Sequence, residues 1–239
     1  MEKYSVLLDI HTHSLASGHG SVDTISDMAK TASKIPLKIL GISDHGPATS
    51  GSGTASYFRN LAISPRERFG VSLLYGIELN ILNQNGDVDL PDDVLKTLDY
   101  ALISMHRPIY SSGSAEENTL AYIRAMDHPR VRFIGHADDG KFPVDFRALL
   151  CAAKAKHVYP EINNRSLMPD SYRKNSYANS LHLLSLCKEM DLPVLLSSDS
   201  HGASQVGNMD YILPALEKTA FPPKLIINSD LSLLRQILQ

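Results

Sequence analysis

Short apolar runs recur along the chain, rich in β-branched residues and ending in polar or ionisable positions: SVLLDIHTH, ILGISDH, VSLLYGIELN, YALISMH, VRFIGHAD, VYPEINN, PVLLSSDSH and KLIINSD. Runs of this length and composition predict strands. Between most of them the apolar positions switch to the helical period. Ile25, Met28, Ala29 and Ala32 share one helix face, and Thr24 to Asp27 reads as a capping box, which predicts a helix over 24–34. Further helices are predicted over 115–127, 143–156, 175–190, 208–219 and 230–238. In GIELNILNQNGDVDL, Asn85-Gly86 between two alternating runs predicts a hairpin excursion after the third strand, before Pro91 starts the next helix.

Strands alternating with helices predict βαβ units and a parallel α/β sheet. The Gly/Ser-rich stretches fall after strands, as GPATSGSGTAS, YSSGSA and NRSLMPDSYRKN, and no repeat or interdomain linker stands out. Seven or eight such units in one chain favour a closed or distorted TIM-like barrel, a single domain over 1–239. An open doubly wound sheet calls for a Gly-rich first turn, and HTHSLASGHG is not one.

Composition narrows the class. Of 239 residues, 43% are hydrophobic and 21% charged, as in ordinary globular proteins. The net charge is −3 and no basic run or basic helix face appears, which argues against stable nucleic-acid binding. Cys151 and Cys187 lie far from any CxxC spacing and read as small core residues in a reducing compartment. MEKYSVLLDIHTH lacks a signal-peptide layout, and no apolar run approaches the roughly 20 residues of a membrane span, so the expectation is a cytoplasmic protein.

The chemistry sits where the strands end. The first run closes in His11 and His13, the second in Asp44 and His45, the third in Glu78, the fourth in His106, the fifth in His136, the sixth in Glu161, and the seventh in Asp199 and His201. In a parallel barrel these ends open on one face. Side chains alternate along a strand, so His11 and His13 point the same way, as do Asp199 and His201. A lone strand-end histidine is usually a hydrogen-bonded structural residue, but seven of the ten histidines lie at strand ends or, with His19, in the first loop. His128, His157 and His182 fall elsewhere and read as surface or capping residues. Buried carboxylates so close together repel one another unless a cation joins them. The donors are nitrogen and oxygen with no thiolate, which suits Zn²⁺, Mn²⁺ or Fe²⁺, and nine side chains exceed one ion's needs, which implies two or three ions. A carboxylate such as Glu78 or Asp199 is the expected bridge between ions.

In order, HTHSLASGH, ISDHGP, GIELNI, SMHRP, GHAD, EINNRS and SSDSH resemble the PHP (polymerase and histidinol phosphatase) family, and more narrowly its stand-alone YcdX-type phosphatase branch. The resemblance spans essentially the whole chain. It implies a distorted (βα)₇ barrel with three metal ions, usually zinc, held by His11, His13, His19, His45, Glu78, His106, His136, Asp199 and His201. It further implies one ion on His11, His13, Glu78 and Asp199, a second on Glu78, His106 and His136, and a third on His19, His45 and His201. GHADDG departs from the His-Pro turn of this branch, which keeps His136 and alters the neighbouring pocket wall.

The expected activity is hydrolysis of a small phosphate monoester by a metal-activated hydroxide, since no Ser or Cys nucleophile stands beside a base. Arg107 and Arg165 are candidates for holding the phosphate, because a guanidinium fork matches its oxygens. Asp44 is expected to orient a ligand imidazole or to cap a helix, and Glu161 and Asn163 to bond substrate or ligands unless Glu161 is structural. Two rivals remain. An amidohydrolase-type deaminase or lactonase also uses HxH, but often adds a middle-strand lysine, and here those strands end in Glu78 and His106. A non-catalytic metal-binding or sensor domain is the other; the family includes such domains attached to DNA polymerases. Loops 47–60 and 164–176 lie above the strand ends and are expected to set substrate choice.

Overall fold

A computed structural model describes residues 4–239. In chain order its elements are β1 (Leu8–Asp9), α1 (Ile25–Ala32), β2 (Ile39–Ile42), α2 (Ala55–Ala62), β3 (Glu67–Arg68), β4 (Val71–Asn80) and α3 (Asp92–Leu95). They continue with β5 (Tyr100–Ser104), α4 (Ala115–Ala125), β6 (Val131–Ile134), α5 (Phe146–Lys156), β7 (Tyr159–Asn163), α6 (Asn164–Leu167), α7 (Ser176–Glu189), β8 (Leu195–Ser197), α8 (Ile212–Lys218) and α9 (Leu231–Leu238). Seven strands pair in parallel in the order β1-β2-β4-β5-β6-β7-β8, and β3 adds to β4 antiparallel. This is the expected nearly closed barrel of seven strands. Among the described residues no helix is long and apolar enough to cross a membrane.

Local signals explain most elements. Thr24 and Asp27 form the reciprocal capping box at the start of α1, and Ser114 and Glu117 form another at α4. The hairpin excursion is a single antiparallel bridge, Ile81 to Val88, around Gly86 at φ 80°, and Pro91 then precedes α3.

Three expectations need correction. Neither 47–60 nor 164–176 is all loop, because α2 begins at Ala55 and buries Phe58, and 164–176 opens with α6 over Asn164–Leu167. KLIINSD is not a strand: it forms two 3₁₀ turns, Pro223–Leu225 and Ile227–Ser229, with only a bridge from Val194 to Ile226. Prolines at 222 and 223 cannot donate to a strand ladder. Cys151 is exposed on α5, whereas Cys187 is buried as expected.

The 3₁₀ segment closes the barrel. Between β8 and β1, the Asn228 side chain donates to Leu8 O and Leu196 O, each at 2.8 Å, and accepts from Leu196 N at 2.7 Å. One amide thus replaces a missing stretch of ladder. Inside the barrel, Leu8, Ile10, Tyr100, Leu102, Phe133 and Leu195 form a cluster, against which α9 packs Leu234 and Ile237. Tyr100 crosses this interior and donates to Ile10 O at 2.6 Å. Its ring occupies the space a side chain would need at Gly41 or Gly76. That leaves the other end of the barrel, where the strands run out, free for polar groups.

Asn228→Ala removes three buried bonds and leaves their backbone partners unsatisfied, so it should lower the unfolding free energy by about 3 kcal/mol. Thermal denaturation should show a fall of about 6 to 12 °C for a chain of this size. A melting temperature equal to that of the wild type would contradict the seam's role.

Candidate metal centre

Strand β1 ends at Asp9, but its alternation continues: Thr12 bridges to Ser200 and its hydroxyl donates to Gly41 O, so His11 and His13 both turn to the other side. Their ring centroids lie 5.0 Å apart. Glu78 arrives from β4 and Asp199 from the turn after β8. Asp199 and His136 hold φ of 52° and 25°, the left-handed side of the map that non-glycine residues rarely occupy, which bends each backbone at its strand end.

Glu78 is the hub. Its Oε2 lies 3.4 Å from His11 Nε2 and 3.5 Å from His13 Nε2, while Asp199 Oδ1 lies 3.3 Å from His13 Nε2 and 3.8 Å from His11 Nε2. Its other oxygen, Oε1, faces His136 Nε2 at 2.8 Å and His106 Nε2 at 3.3 Å, and those two nitrogens are 3.1 Å apart. His45 packs on the rings of His13 at 4.4 Å and His19 at 4.8 Å, with His201 4.4 Å from His13. His19 is exposed and stands one step further out, 5.3 Å from His201. His45 also sits closer to the hub than the resemblance implies, its Nδ1 2.7 Å from Glu78 Oε2. Its donor atom falls within reach of His13 and His201 on one side and of Glu78 and His106 on the other.

Outer groups fix which nitrogen faces inward for four of the imidazoles, His11, His13, His106 and His201. Glu161 accepts from His11 Nδ1 at 2.5 Å, and also from His136 N, Ser197 Oγ and Asn163 Nδ2. Asp44 takes the Ser17 hydroxyl proton at 2.8 Å, so Ser17 Oγ can only accept from His13 Nδ1 at 2.9 Å. Asp44 therefore acts on His13 through Ser17, rather than as a helix cap. It also accepts from Ser14 and from Tyr57 of α2. Asn80, whose amide NH₂ donates to Asp89, turns its oxygen to His106 Nδ1 at 2.8 Å. His201 Nδ1 faces Asp199 O at 3.1 Å. In each case Nδ1 carries the proton and Nε2 presents a lone pair, the arrangement that supports metal ligation.

The charge states of His13, His106 and His201 agree with this. Burial lowers the pKa of His106 and of His201 to about 4, and drives His13 well below its usual value with help from His201 and His45. Burial opposes ionisation of Glu78 and Asp199, yet His106, His45 and His11 around the first, and His11 and Arg173 beside the second, hold both well below the carboxylate range. His11 alone is pulled up: burial works against its charge, but Glu161, Glu78 and Asp199 outweigh it.

The decisive observation is what these atoms lack. Among the described residues, His11 Nε2, His13 Nε2, both ring nitrogens of His45 and Glu78 Oε2 are buried without a hydrogen-bond partner, since the close approach of His45 to Glu78 has no hydrogen-bond geometry. Leaving one such group unsatisfied costs about 1–3 kcal/mol. Five such atoms, spread over neighbouring groups of possible ligands, fit divalent cations, and the all-N/O donor set suits zinc, manganese or iron.

Above the cluster opens a cavity of about 590 Å³. Arg107 and Arg165 both line it, and neither has a hydrogen-bond or ion-pair partner among the described residues. Met105, Ile109 and Phe142 give it an apolar wall. The altered GHADDG turn places Asp139 in this wall and buries Asp138, which accepts from Ser166 and Ser180. Sequence reasoning passed over Arg173, which reaches Asp199 from the loop before α7, because no pattern marks a lone arginine in SYRKN as buried. The three remaining histidines lie outside the cluster: His128 bonds Asp92, His157 ends α5, and His182 packs on Phe146.

The family profile described as PHP domain matches residues 9–217. A protein named probable phosphatase from Clostridium novyi is 39% identical over 224 residues, covering 94% of this chain and 91% of the relative. Another so named, from Thermoanaerobacter sp. strain X514, is 35% identical over 98% of this chain and 95% of its own. Among solved structures, histidinol phosphate phosphatase from Lactococcus lactis, complexed with zinc, L-histidinol and phosphate, superposes with a TM-score of 0.63 at 18% identity, covering 90% of this chain and 94% of its own.

Zinc should stabilise the folded chain by about 4 kcal/mol when present at about a thousandfold excess over its dissociation constant. Glu78→Gln should lose most of that gain, because Oε1 and Oε2 face different sets of imidazoles. Thermal shifts with and without chelator measure both. An undiminished zinc shift in the variant would rule out Glu78 as the shared ligand.

Proposed function

The chain belongs to the PHP domain family, and on that premise we propose that it is a phosphatase that hydrolyses a small phosphate monoester at a three-ion site. The observation carrying this reading is the set of buried donor atoms on His11, His13, His45 and Glu78 without a partner among the described residues, under a cavity lined by Arg107 and Arg165, which have no partner there either. His11, His13, Glu78 and Asp199 would hold one ion, Glu78, His106 and His136 a second, and His45 and His201, with His19 closing from the loop, a third. Zinc is the first candidate. Bound there, such ions supply a water of near-neutral pKa and neutralise charge on phosphoryl oxygens.

The residues of the chain do the remaining work. Arg165 and Arg107, both lining the cavity and the latter directly after His106, fit phosphate oxygens through their guanidinium forks. Met105, Ile109 and Phe142 exclude water from one side and contact the leaving group. Glu161 and the Asp44–Ser17 pair keep His11 and His13 aimed, so no ring must rotate when substrate enters. The domain acts as a single phosphoesterase unit over 1–239 in this reading.

Turnover of p-nitrophenyl phosphate should require zinc or manganese and vanish with chelator. His11→Ala and Asp199→Ala should fold and lose at least about a thousandfold in kcat/KM, the scale of the several kcal/mol that bound ions contribute. Arg165→Ala should raise KM by at least about tenfold, the worth of one charge-assisted hydrogen bond. Hydrolysis of an amide or lactone but of no phosphate ester, or stoichiometric metal with no turnover of any, would overturn the proposal.

A further inference from the structure

Arg173 is the only lysine or arginine that is buried among the described residues, with 7% of its surface exposed. It lies in the segment between α6 and α7. Its Nη2 donates to Asp199 Oδ2 at 2.9 Å, and Nη1 to Asn163 Oδ1 at 3.0 Å and Ser166 Oγ at 2.9 Å. Asn163 Nδ2 donates to the same Asp199 Oδ2 at 3.1 Å, so that oxygen has two donors on the side away from the cluster. Asp199 Oδ1 is thereby turned to His13 at 3.3 Å. The anchor continues outward: Ser166 Oγ donates a hydrogen bond to Asp138, to which Ser180 of α7 also donates. Next to Arg173, Tyr172 lies along the guanidinium at 5.4 Å, takes the Lys141 ammonium at 4.8 Å and lines the cavity.

We propose that Arg173 is a positioning residue for the reaction: its guanidinium locks the Asp199 carboxylate with Oδ1 facing His11 and His13, and couples the 168–175 segment, with Tyr172 in the cavity wall, to the metal centre. This rests on the reading of the cluster as a metal centre. A planar fork reaches Asp199, Asn163 and Ser166 together, while an ammonium at the same place is a point charge without that geometry. Asp138 lies in the GHADDG turn, where Ala137 follows His136 in place of the branch's proline, and it accepts from the same Ser166 hydroxyl that the fork reaches.

The test measures zinc per chain by mass spectrometry after gel filtration, together with kcat and KM on p-nitrophenyl phosphate, for wild type, R173A and R173K. R173A should fold, carry less zinc, and lose about 10- to 100-fold in kcat, the usual effect of removing a group that orients a metal ligand. Its KM should stay near that of the wild type, and millimolar guanidinium should restore part of both the zinc content and kcat. Wild-type zinc content and kcat in R173A, or a loss that guanidinium leaves unchanged in a folded variant, overturns the proposal. Should R173A fail to fold, R173K decides: reduced zinc and kcat in a folded protein support the role, and wild-type values refute it. The zinc count does not depend on phosphatase activity, so zinc binding without ester hydrolysis defeats the functional reading alone, while a wild-type chain that binds no zinc defeats both.

Discussion

Glu78 and Asp199 are two buried carboxylates with the inner nitrogens of His11 and His13 within 3.8 Å, and the rest of the site answers the problem they create. Burial disfavours their charge, and their closeness adds repulsion. The neutral imidazoles of His13, His106 and His201 do not neutralise them. Cations held between carboxylate oxygens and imidazole nitrogens would balance that charge and give partners to His11 Nε2, His13 Nε2 and Glu78 Oε2, which have none among the described residues.

Precision at such a site comes from the groups behind the ligands. Glu161 spends its oxygens on His11, the His136 backbone, Ser197 and Asn163; Asp44 acts through Ser17; Asn80 and Asp89 hold His106; Arg173 holds Asp199. Each outer group comes from a different strand or loop from the ring or carboxylate it aims, so the geometry depends on the barrel keeping its register. The Asn228 seam, the Tyr100 plug and the apolar cluster beneath it serve that end. Below the polar groups the barrel interior is filled by the apolar cluster of Leu8, Ile10, Tyr100, Leu102, Phe133 and Leu195.

Much of this was legible in the sequence because a strand's period and its last residue are local properties. HTH, SDH, IEL, SMH, GHAD and SSDSH end successive apolar runs, and parallel topology carries those ends to one face. The helix over 24–34 was readable for the same reason, from its capping box and one apolar face. What stayed hidden is long-range. Nothing near Asn228 shows that its amide will replace a ladder between residues more than 30 positions away on one side and more than 200 on the other. Arg173 has no periodic context, and Phe58 and Leu61 of α2 follow directly on a stretch rich in Gly and Ser. The strand-like KLIINSD was misleading because its apolar character serves packing beside β8 and β1, while Asn228 supplies the bonds. Which nitrogen of which histidine faces which carboxylate, as with His45 beside Glu78, likewise requires the packed structure.

The central claim is that these side chains together hold a cluster of ions rather than a single one. Anomalous diffraction at the zinc absorption edge, from crystals grown with zinc, addresses it directly. Three peaks are expected between His11, His13, His19, His45, Glu78, His106, His136, Asp199 and His201, with nitrogen ligands at about 2.0–2.1 Å and Glu78 shared between ions. No peak, or one isolated peak that leaves the His45 and Glu78 donor atoms without a ligand role, would contradict it.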